Sequence, residues 1–409
     1  MSVSPRAISR AEFIALVAAL VTINAAAIDV MLPALPNMGE AFGVADPNDR
    51  SLVLTVFLLG LGLPQLFFGP LTDRFGRRVP LLAGIAVFTA AAFAAILAPS
   101  FGALLAIRFL QGAGSAAVNV AITSAVRDRY SGSEMAEVMS MVFTVFMIVP
   151  IVAPSVGQAL LLTGTWQLIF VFMGGLGLIF GLWAFLRLRE TLKVEARRPF
   201  SVRSVAEGFG IVLSSRVALF YGLSGMFMFG GILGFVNSAQ QIYVGIYGLG
   251  ALFPIVFAAT PLTFALAFFL NSRLVSRFGM RRLSHGSMLA FLVVTGTWLV
   301  LSLAGIMPLW LFVGMMMLTG LTQGLAWGNV GALSMEPLGA VAGTASAVFG
   351  AFSTVGAAIL GYVVAQFFDG TTTPVIAAFF VFGLCIVGCF YVAEGGKLFG
   401  TGTLSAAAP

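Results

Sequence analysis

The sequence predicts an all-α integral membrane protein in which twelve membrane-spanning helices form two six-helix bundles. Its 409 residues are 60% hydrophobic and only 9% charged, with a mean hydropathy of +1.06, whereas the surface of a soluble protein needs far more charge. Apolar runs long enough to cross a bilayer recur along nearly the whole chain. The longest charged stretch falls midway, after six of these runs.

The predicted spans are separated by short breaks that are polar or marked by glycine and proline. A helix needs about 20 apolar residues to cross a hydrocarbon core about 30 Å thick. The sequence lacks the alternation of apolar and polar residues that is typical of membrane β-barrels. The spans are 11–32, 51–69, 79–98, 102–124, 135–160, 166–186, 216–238, 249–270, 284–305, 309–332, 343–366 and 375–394.

Basic residues sort to one side of this topology. Of the 21 Lys and Arg residues, all but two lie in segments that share one side, and the exceptions are Arg50 on the other side and Arg108 inside the fourth span. This positive-inside pattern predicts that both termini are cytoplasmic. The net charge of +6 therefore reflects topology and predicts the lipid bilayer, not a nucleic acid, as the partner.

The charged stretch at 187–215 predicts a cytoplasmic linker between an N-terminal bundle, 1–186, and a C-terminal bundle, 216–409. The two halves echo each other, because GPLTDRFGRR (69–78) follows the second span and SRLVSRFGMRR (272–282) follows the eighth. Weak repetition of this kind is typical of transporters built from paired bundles around a central site.

Two charged side chains lie well inside the predicted spans, Asp29 in the first and Arg108 in the fourth. Each costs about 2.5–3.5 kcal/mol at a helix centre, which disfavours an unpartnered structural role. At 1.5 Å per residue, Asp29 lies about 27 Å along a span that runs outward, and Arg108 lies about 9 Å along a span that runs inward. We therefore expect both in the outer half of the membrane, at similar depth and close enough to pair.

A polar stripe continues from Arg108 along one face of the fourth span, at spacings of three, four and four residues. Thr22 lies seven residues before Asp29 and shares its face of the first span. Together these faces predict a watered cavity, with structural hydrogen bonding as the alternative. The stripe consists of Arg108, Gln111, Ser115 and Asn119.

We interpret Asp29 as a site for a proton and a cationic substrate, and Arg108 as the fixed charge that helps to expel the proton. Opening or closing a cavity changes both the solvation of a carboxylate and its interaction with a nearby arginine, so one group can bind a proton in one conformation and release it in another. The alternative is a static Asp29–Arg108 ion pair that clamps two helices. The sequence predicts no cofactor besides the coupling proton and no metal site.

The loop GPLTDRFGRR resembles the signature loop of the major facilitator superfamily, and the twelve-span layout resembles that superfamily over essentially the whole chain. IRFLQGAGSAAVNV (107–120) and VPIVAPSVGQAL (149–160) are similar to motifs of drug:proton antiporters. Two other stretches most resemble the bicyclomycin-resistance, Bcr/CflA-type branch, VRDRYSGSEMAEVMS (126–140) and MEPLGAVAGTASAVFG (335–350).

This resemblance implies a bacterial inner-membrane exporter, acting as a monomer, that exchanges protons for lipophilic small molecules by alternating access. In related antiporters, the residues that match Asp29 and Arg108 are implicated in proton coupling. A dedicated metabolite exporter or a proton-coupled importer of the same fold remains the alternative. A membrane enzyme would need a constellation of catalytic groups in one site, and a receptor or scaffold would need no titratable group in a cavity.

The resemblance also implies a cytoplasmic gate around the first signature loop. In the superfamily, the acid that matches Asp73 caps the eleventh helix and latches the outward-facing state. Ser276 replaces this acid in the second copy, so we expect an asymmetric gate. Gly69 and Gly76 are expected to permit tight turns and close helix approach. The predicted gate comprises Gly69, Asp73, Arg74, Gly76, Arg77, Arg127 and Asp128.

The antiporter-like motif places Pro150 and Pro154 inside the fifth span, where proline removes backbone hydrogen bonds and favours a kink. Gly157 is expected to permit close approach of another bundle, although Ala153 and Gln158 stand where the pattern usually has glycine.

Methionine, aromatic and amide groups suit a cavity for poorly defined apolar ligands, with ordinary packing as the alternative for each residue. His285, the only histidine, is expected in a solvated interfacial position, with a proton relay as the alternative. Cys385 and Cys389 are expected as two buried thiols. Besides Asp29 and the stripe, the predicted cavity includes Thr22, Met147, Met228, Asn237, Gln323, Trp327 and Asn329.

Overall fold

The computed structural model describes residues 8–197 and 209–399, apart from the side chains of 132, 133, 136, 196 and 339–347. Part of the predicted linker and part of the MEPLGAVAGTASAVFG stretch therefore lie outside the described residues. All regular secondary structure in the described ranges is helical. Twelve helices are long and apolar enough to cross a membrane, which confirms the predicted all-α class.

The long helices are labelled here in chain order. Their bounds are α1 (Arg10–Asp29), α2 (Leu52–Phe75), α3 (Arg78–Ile96), α4 (Phe101–Arg129), α5 (Gly132–Thr163), α6 (Gln167–Arg187), α7 (Arg216–Gln240), α8 (Ala259–Phe278), α9 (Met280–Leu303), α10 (Leu309–Met335), α11 (Ala342–Gln366) and α12 (Thr373–Ala393).

Three spans are less regular than the sequence predicts. After α1 the chain forms a 3₁₀ turn, Leu32–Ala34, and a short helix, Leu35–Ala41. After α7 it continues as one π-helical turn, Gln241–Ile246. Before α8 it passes through a 3₁₀ turn, Gly250–Leu252, and a short helix, Phe253–Phe257.

Serine side chains cap three helices, where the first backbone N–H groups lack helical partners. Ser9 accepts a hydrogen bond from the backbone of Glu12 at 3.1 Å at the start of α1. Ser100 and Ser215 do the same for α4 and α7. The prolines predicted in the fifth span, Pro150 and Pro154, both lie inside α5, which runs without interruption through them.

The chain divides into two compact units, Met1–Val205 and Ala206–Pro409. Corresponding helices have corresponding neighbours in the two units: α1 packs on α5 as α7 packs on α11, and α2 on α4 as α8 on α10. The pairs α3–α4, α3–α6 and α1–α4 also have counterparts, namely α9–α10, α9–α12 and α7–α10. The internal repetition that two loops indicate in the sequence is thus also present in the helix packing, which follows the same pattern in both units.

One face of the N-terminal unit carries a series of ion pairs. We use the term start face for the face of a unit at which its first helix begins. Arg10 at the start of α1 pairs with Glu137 of α5 at 2.7 Å. Glu12 accepts two hydrogen bonds of 2.6 Å from Arg187 at the end of α6. These contacts fix the ends of α1, α5 and α6 together.

Candidate functional site

Asp29 is the last residue of α1, at a break in the first span. Pro33 lies four residues later and has no N–H, so the Asp29 carbonyl cannot receive its helical hydrogen bond. Val30 N–H still donates to Ala26 in the helical pattern, and the chain then enters the 3₁₀ turn Leu32–Ala34. The carboxylate is therefore presented at a helix end and not in the middle of a regular helix.

Arg108 of α4 is fully buried and joins three helices. Its Nη2 donates to the Ala27 carbonyl of α1 at 2.9 Å, and its Nε donates to the Val53 carbonyl of α2 at 3.1 Å. Its Nη1 donates to Gln111 Oε1 at 2.6 Å. The guanidinium also lies 4.4 Å from the ring centroid of Phe57, a distance suited to a cation–π interaction.

The expected ion pair between Asp29 and Arg108 is not among the contacts of the described residues. Arg108 binds the backbone of Ala27, two residues before Asp29, because the break in α1 leaves a carbonyl oxygen free to accept. Asp29 is only 7% exposed and its side chain has no hydrogen bond to another described residue. The alternative of a static clamp between these two side chains is therefore wrong in this conformation.

Several polar atoms of α1 and α4 are buried without a hydrogen-bond partner among the described residues. On α4 these are Gln111 Nε2 and Ser115 Oγ, and on α1 they are Thr22 Oγ1 and Asn24 Oδ1. Asn119, the last member of the stripe, is partly exposed. Buried polar groups are normally satisfied, so this arrangement favours a compartment that takes up water or polar ligand groups. Asn24 is absent from the predicted set, because one amide in an apolar run has no periodic pattern.

Glycines let backbones approach closely around this compartment. A Cβ at Gly112 of α4 would collide with the Phe57 carbonyl oxygen of α2, and a Cβ at Gly60 with that of Phe109. Gly157 of α5 would in the same way collide with the carbonyl of Val30, next to Asp29. The motif glycine that we expected to face another bundle therefore packs α5 onto the break in α1, within its own unit.

The other predicted residues of α5 differ in their exposure. Pro154 is buried, whereas Met147 and Pro150 are partly exposed. Since none of their side chains has a described polar contact, their assignment to a cavity or a kink stays a prediction.

The signature loop forms a charge cluster at the start face of the N-terminal unit. Arg77 donates from Nε to Asp128 Oδ2 at 2.9 Å and from Nη1 to Asp73 Oδ1. Burial disfavours the charged guanidinium, but its bonds to the carboxylates of Asp128 and Asp73 outweigh this effect, so the pKa of Arg77 lies above its ordinary value. The observed partner of Asp73 is thus Arg77, and the capping of the eleventh helix stays a prediction.

Three predicted gate residues have other surroundings than expected. Gly69 lies inside α2, which continues to Phe75, and a Cβ there would meet no atom, so it provides neither a turn nor a close approach. Arg74 lies over the ring of Phe75, and Arg127 donates to Ser124 at 3.2 Å, so no described contact joins either to the Arg77 cluster.

The conformation of the signature loop also depends on Gly76 and on a contact with Glu190, which lies outside the loop. Gly76 ends α2 with a φ of +88°, in the left-handed region that favours glycine. Glu190, three residues after α6, lies against Gly76 and accepts hydrogen bonds from the N–H groups of Arg77 and Arg78 at 2.8 and 3.2 Å. The next residue, Thr191, donates to Asp128 at 3.0 Å. Glu190 was missed by sequence reasoning because its partners lie more than 100 residues away.

We expect Glu190→Ala to lower the stability of the purified protein by about 1 kcal/mol, because the first N–H groups of α3 lose their acceptor. Glu190→Gln should lose less stability, since the glutamine amide oxygen still accepts hydrogen bonds from these N–H groups. The thermal unfolding midpoint measures both effects. Glu195→Ala removes an exposed glutamate five residues later and serves as the control; an equal loss there would contradict the capping role of Glu190.

In the C-terminal unit, most predicted cavity residues are held by neighbours. Gln323 of α10 donates to the Met228 carbonyl of α7 at 2.7 Å. Asn329 donates to Asn271 at 2.8 Å, and Trp327 packs edge-on against Phe229. These groups contribute to helix packing, as the alternative interpretation states.

Asn237 of α7 differs from these residues. It is 5% exposed, and both of its amide atoms lack a described partner. Its amide therefore keeps hydrogen-bonding capacity for a ligand.

The expectation of a solvated His285 is wrong. His285 of α9 is 1% exposed and lies among Tyr221, Phe390 and Phe399. No pattern along the chain predicts that a segment after α12 covers it. Cys385 and Cys389 are free thiols, of which only Cys389 is buried. The described residues contain no group of three or more side chains suited to hold a metal ion.

The family model of the Major Facilitator Superfamily matches residues 17–361. The chain is 31% identical over 362 residues to the bicyclomycin resistance protein homolog of Haemophilus influenzae, covering 88% of this chain and 89% of that protein. It is 30% identical to a chloramphenicol resistance protein of Pseudomonas aeruginosa, covering 78% and 76%. The fold is similar to that of the human organic anion transporter MFSD10, with a TM-score of 0.72, 19% identity, and 93% and 98% of the two chains covered.

Proposed function

The chain belongs to the Major Facilitator Superfamily, and we propose that it is a drug:proton antiporter that exports lipophilic small molecules by alternating access. It is a multi-pass membrane protein, and its described residues include twelve helices long and apolar enough to span a membrane. Our proposal further includes a bacterial inner-membrane location, cytoplasmic termini and a monomeric state. The names of its relatives, which refer to resistance to bicyclomycin and chloramphenicol, support drugs as the substrate class.

The observation that carries this proposal is Asp29. It is a nearly buried carboxylate without a described partner, at the end of a broken helix that also carries the unsatisfied polar atoms of Thr22 and Asn24. Such a group is unfavourable for stability, and ionisable residues inside membrane spans are typical of ion and substrate pathways. A proton on Asp29 would neutralise the site, and a cationic substrate could replace that proton.

Arg108 has a positioning role in this mechanism. Because it holds the Ala27 and Val53 carbonyls, it fixes the end of α1 relative to α2 and α4. A conformational change that released the Ala27 carbonyl would then move Asp29 relative to the guanidinium. The carboxylate could bind a proton in one conformation and release it in another through this change.

The orientation that we propose follows from the basic residues. Those of the signature loop and of the ends of α4 and α6 lie at the start face of the N-terminal unit. The positive-inside rule assigns such a face to the cytoplasm.

Substrate-evoked proton movement in everted membrane vesicles tests the proposal. We expect that a cationic or neutral lipophilic drug, added outside vesicles with an acidic lumen, enters the lumen while protons leave it. Vesicles without the protein are the control. Drug accumulation without proton movement would contradict coupling, and proton movement in the same direction as the drug would indicate an importer. No response to any compound in the panel would favour a dedicated metabolite transporter.

A further inference from the structure

His285 lies at the start face of the C-terminal unit, in a cluster built from four elements. The Tyr221 hydroxyl of α7 donates to Glu394 Oε1, just after α12, at 2.7 Å. Arg281 of α9 donates to the same oxygen at 2.8 Å and to Glu336, just after α10, at 2.6 Å. The cluster thus combines the imidazole with a phenol, two carboxylates and one guanidinium, and the phenol contacts the imidazole directly.

The hydrogen bonds of this cluster determine where the imidazole carries its proton. Because the Tyr221 hydrogen is directed to Glu394, its oxygen accepts from His285 Nε2 at 3.0 Å. The backbone N–H of Phe399 donates to His285 Nδ1 at 3.0 Å. His285 is therefore neutral, protonated on Nε2, and its Nδ1 lone pair is occupied by the segment that follows α12.

We propose that His285 is a second proton-binding site, and that its protonation releases the segment 395–399. A second proton can bind only at Nδ1, the atom that accepts from Phe399. An imidazolium has two N–H donors and no acceptor, so protonation and docking of Phe399 exclude each other. This inference concerns the C-terminal unit and does not depend on proton coupling at Asp29.

The charges around the segment allow this exchange. Glu394 offers a neighbouring negative charge to an imidazolium, while Arg281 is already paired with both carboxylates. The other cations near the segment are Arg216, which lies against Gly395, and Lys397 of the segment itself. Lys397 favours departure of the segment when His285 gains a positive charge, because like charges repel and Lys397 moves away with the segment.

Phe399 is held in a conformation that depends on this contact. Its φ is +64°, in the left-handed region that non-glycine residues rarely adopt. Its ring meets the imidazole edge-on, with centroids 5.7 Å apart. Since that backbone conformation is unfavourable by itself, the loss of one hydrogen bond should suffice to undock the residue.

Hydrogen–deuterium exchange of the purified full-length protein in detergent tests the proposal. We would measure the Phe399 amide between about pH 8 and about pH 5, the range in which histidines change charge, and correct for the intrinsic exchange rate. In the wild type, protection should fall about tenfold for each pH unit below the titration midpoint, as exclusive binding of one proton requires.

Two variants of His285 complete the test. His285→Asn offers an acceptor oxygen near the position of Nδ1 and cannot be protonated, so the segment should stay protected throughout the range. His285→Phe keeps the ring without an acceptor, so the segment should be unprotected at every pH. Constant protection in the wild type, or the same pH-dependent loss in His285→Asn, would overturn the proposal.

Discussion

Asp29→Asn should abolish drug-evoked proton movement, reducing it to the level of vesicles that lack the protein. Asparagine has nearly the same size as aspartate but cannot exchange a proton, so it removes the coupling step and leaves the packing at the end of α1 intact. Binding of cationic drugs should weaken as well, because the site loses its negative charge. Proton flux and drug accumulation would be measured in the same vesicles.

The stability of Asp29→Asn should equal or exceed that of the wild type. A nearly buried carboxylate without a partner is unfavourable, and no described hydrogen bond is lost when it is replaced. Glu40→Gln, which neutralises an exposed acid after the break, is the matched control and should keep full coupling. Retained proton movement in Asp29→Asn would reject Asp29 as the coupling residue, and a large loss of stability would indicate a structural role.

Arg108→Lys should strongly impair transport although it preserves the positive charge. A lysine ammonium is a single point and cannot reach the Ala27 carbonyl, the Val53 carbonyl and Gln111 together, as the planar guanidinium does. At least one buried acceptor would be left unsatisfied, at a cost of about 1–3 kcal/mol. Thermal unfolding and proton-coupled transport would be measured side by side.

Arg282→Lys makes the same replacement at an exposed position of α9 and should behave as the wild type. Full transport by Arg108→Lys would show that charge alone matters and would contradict the positioning role. Arg108→Ala should be less stable than Arg108→Lys, because it frees all three acceptors and also removes the contact with Phe57.

The twelve spans and the family were predictable because both depend on local patterns. Apolar runs of membrane length are visible in the sequence, and the helices, together with the family match, confirm them. Asp29 and Arg108 stood out for the same reason, since a charge within an apolar run is unmistakable. Burial of Gln111 and Ser115 followed from helical spacing.

The partners of these residues were not predictable from pattern. We matched Arg108 to Asp29 as opposite charges at equal depth, but the guanidinium binds the Ala27 carbonyl near the end of α1 and the Val53 carbonyl of α2 instead. Glu190 and His285 depend on contacts between distant segments, which spacing along one helix does not reveal. Gly69 was misjudged because α2 extends farther than its apolar run.

The three-helix contact of Arg108 has a consequence for the biogenesis of the protein. Helices enter the membrane in chain order, so α1 and α2 are present when α4 emerges. The carbonyls of Ala27 and Val53 can then accept hydrogen bonds from Arg108 as soon as α4 inserts. An isolated α4 would expose Arg108 to lipid at a cost of about 2.5–3.5 kcal/mol. We therefore expect stable insertion of α4 to depend on α1 and α2, which are synthesised before it. Assembly of the N-terminal unit would then be cooperative and would follow the order of synthesis.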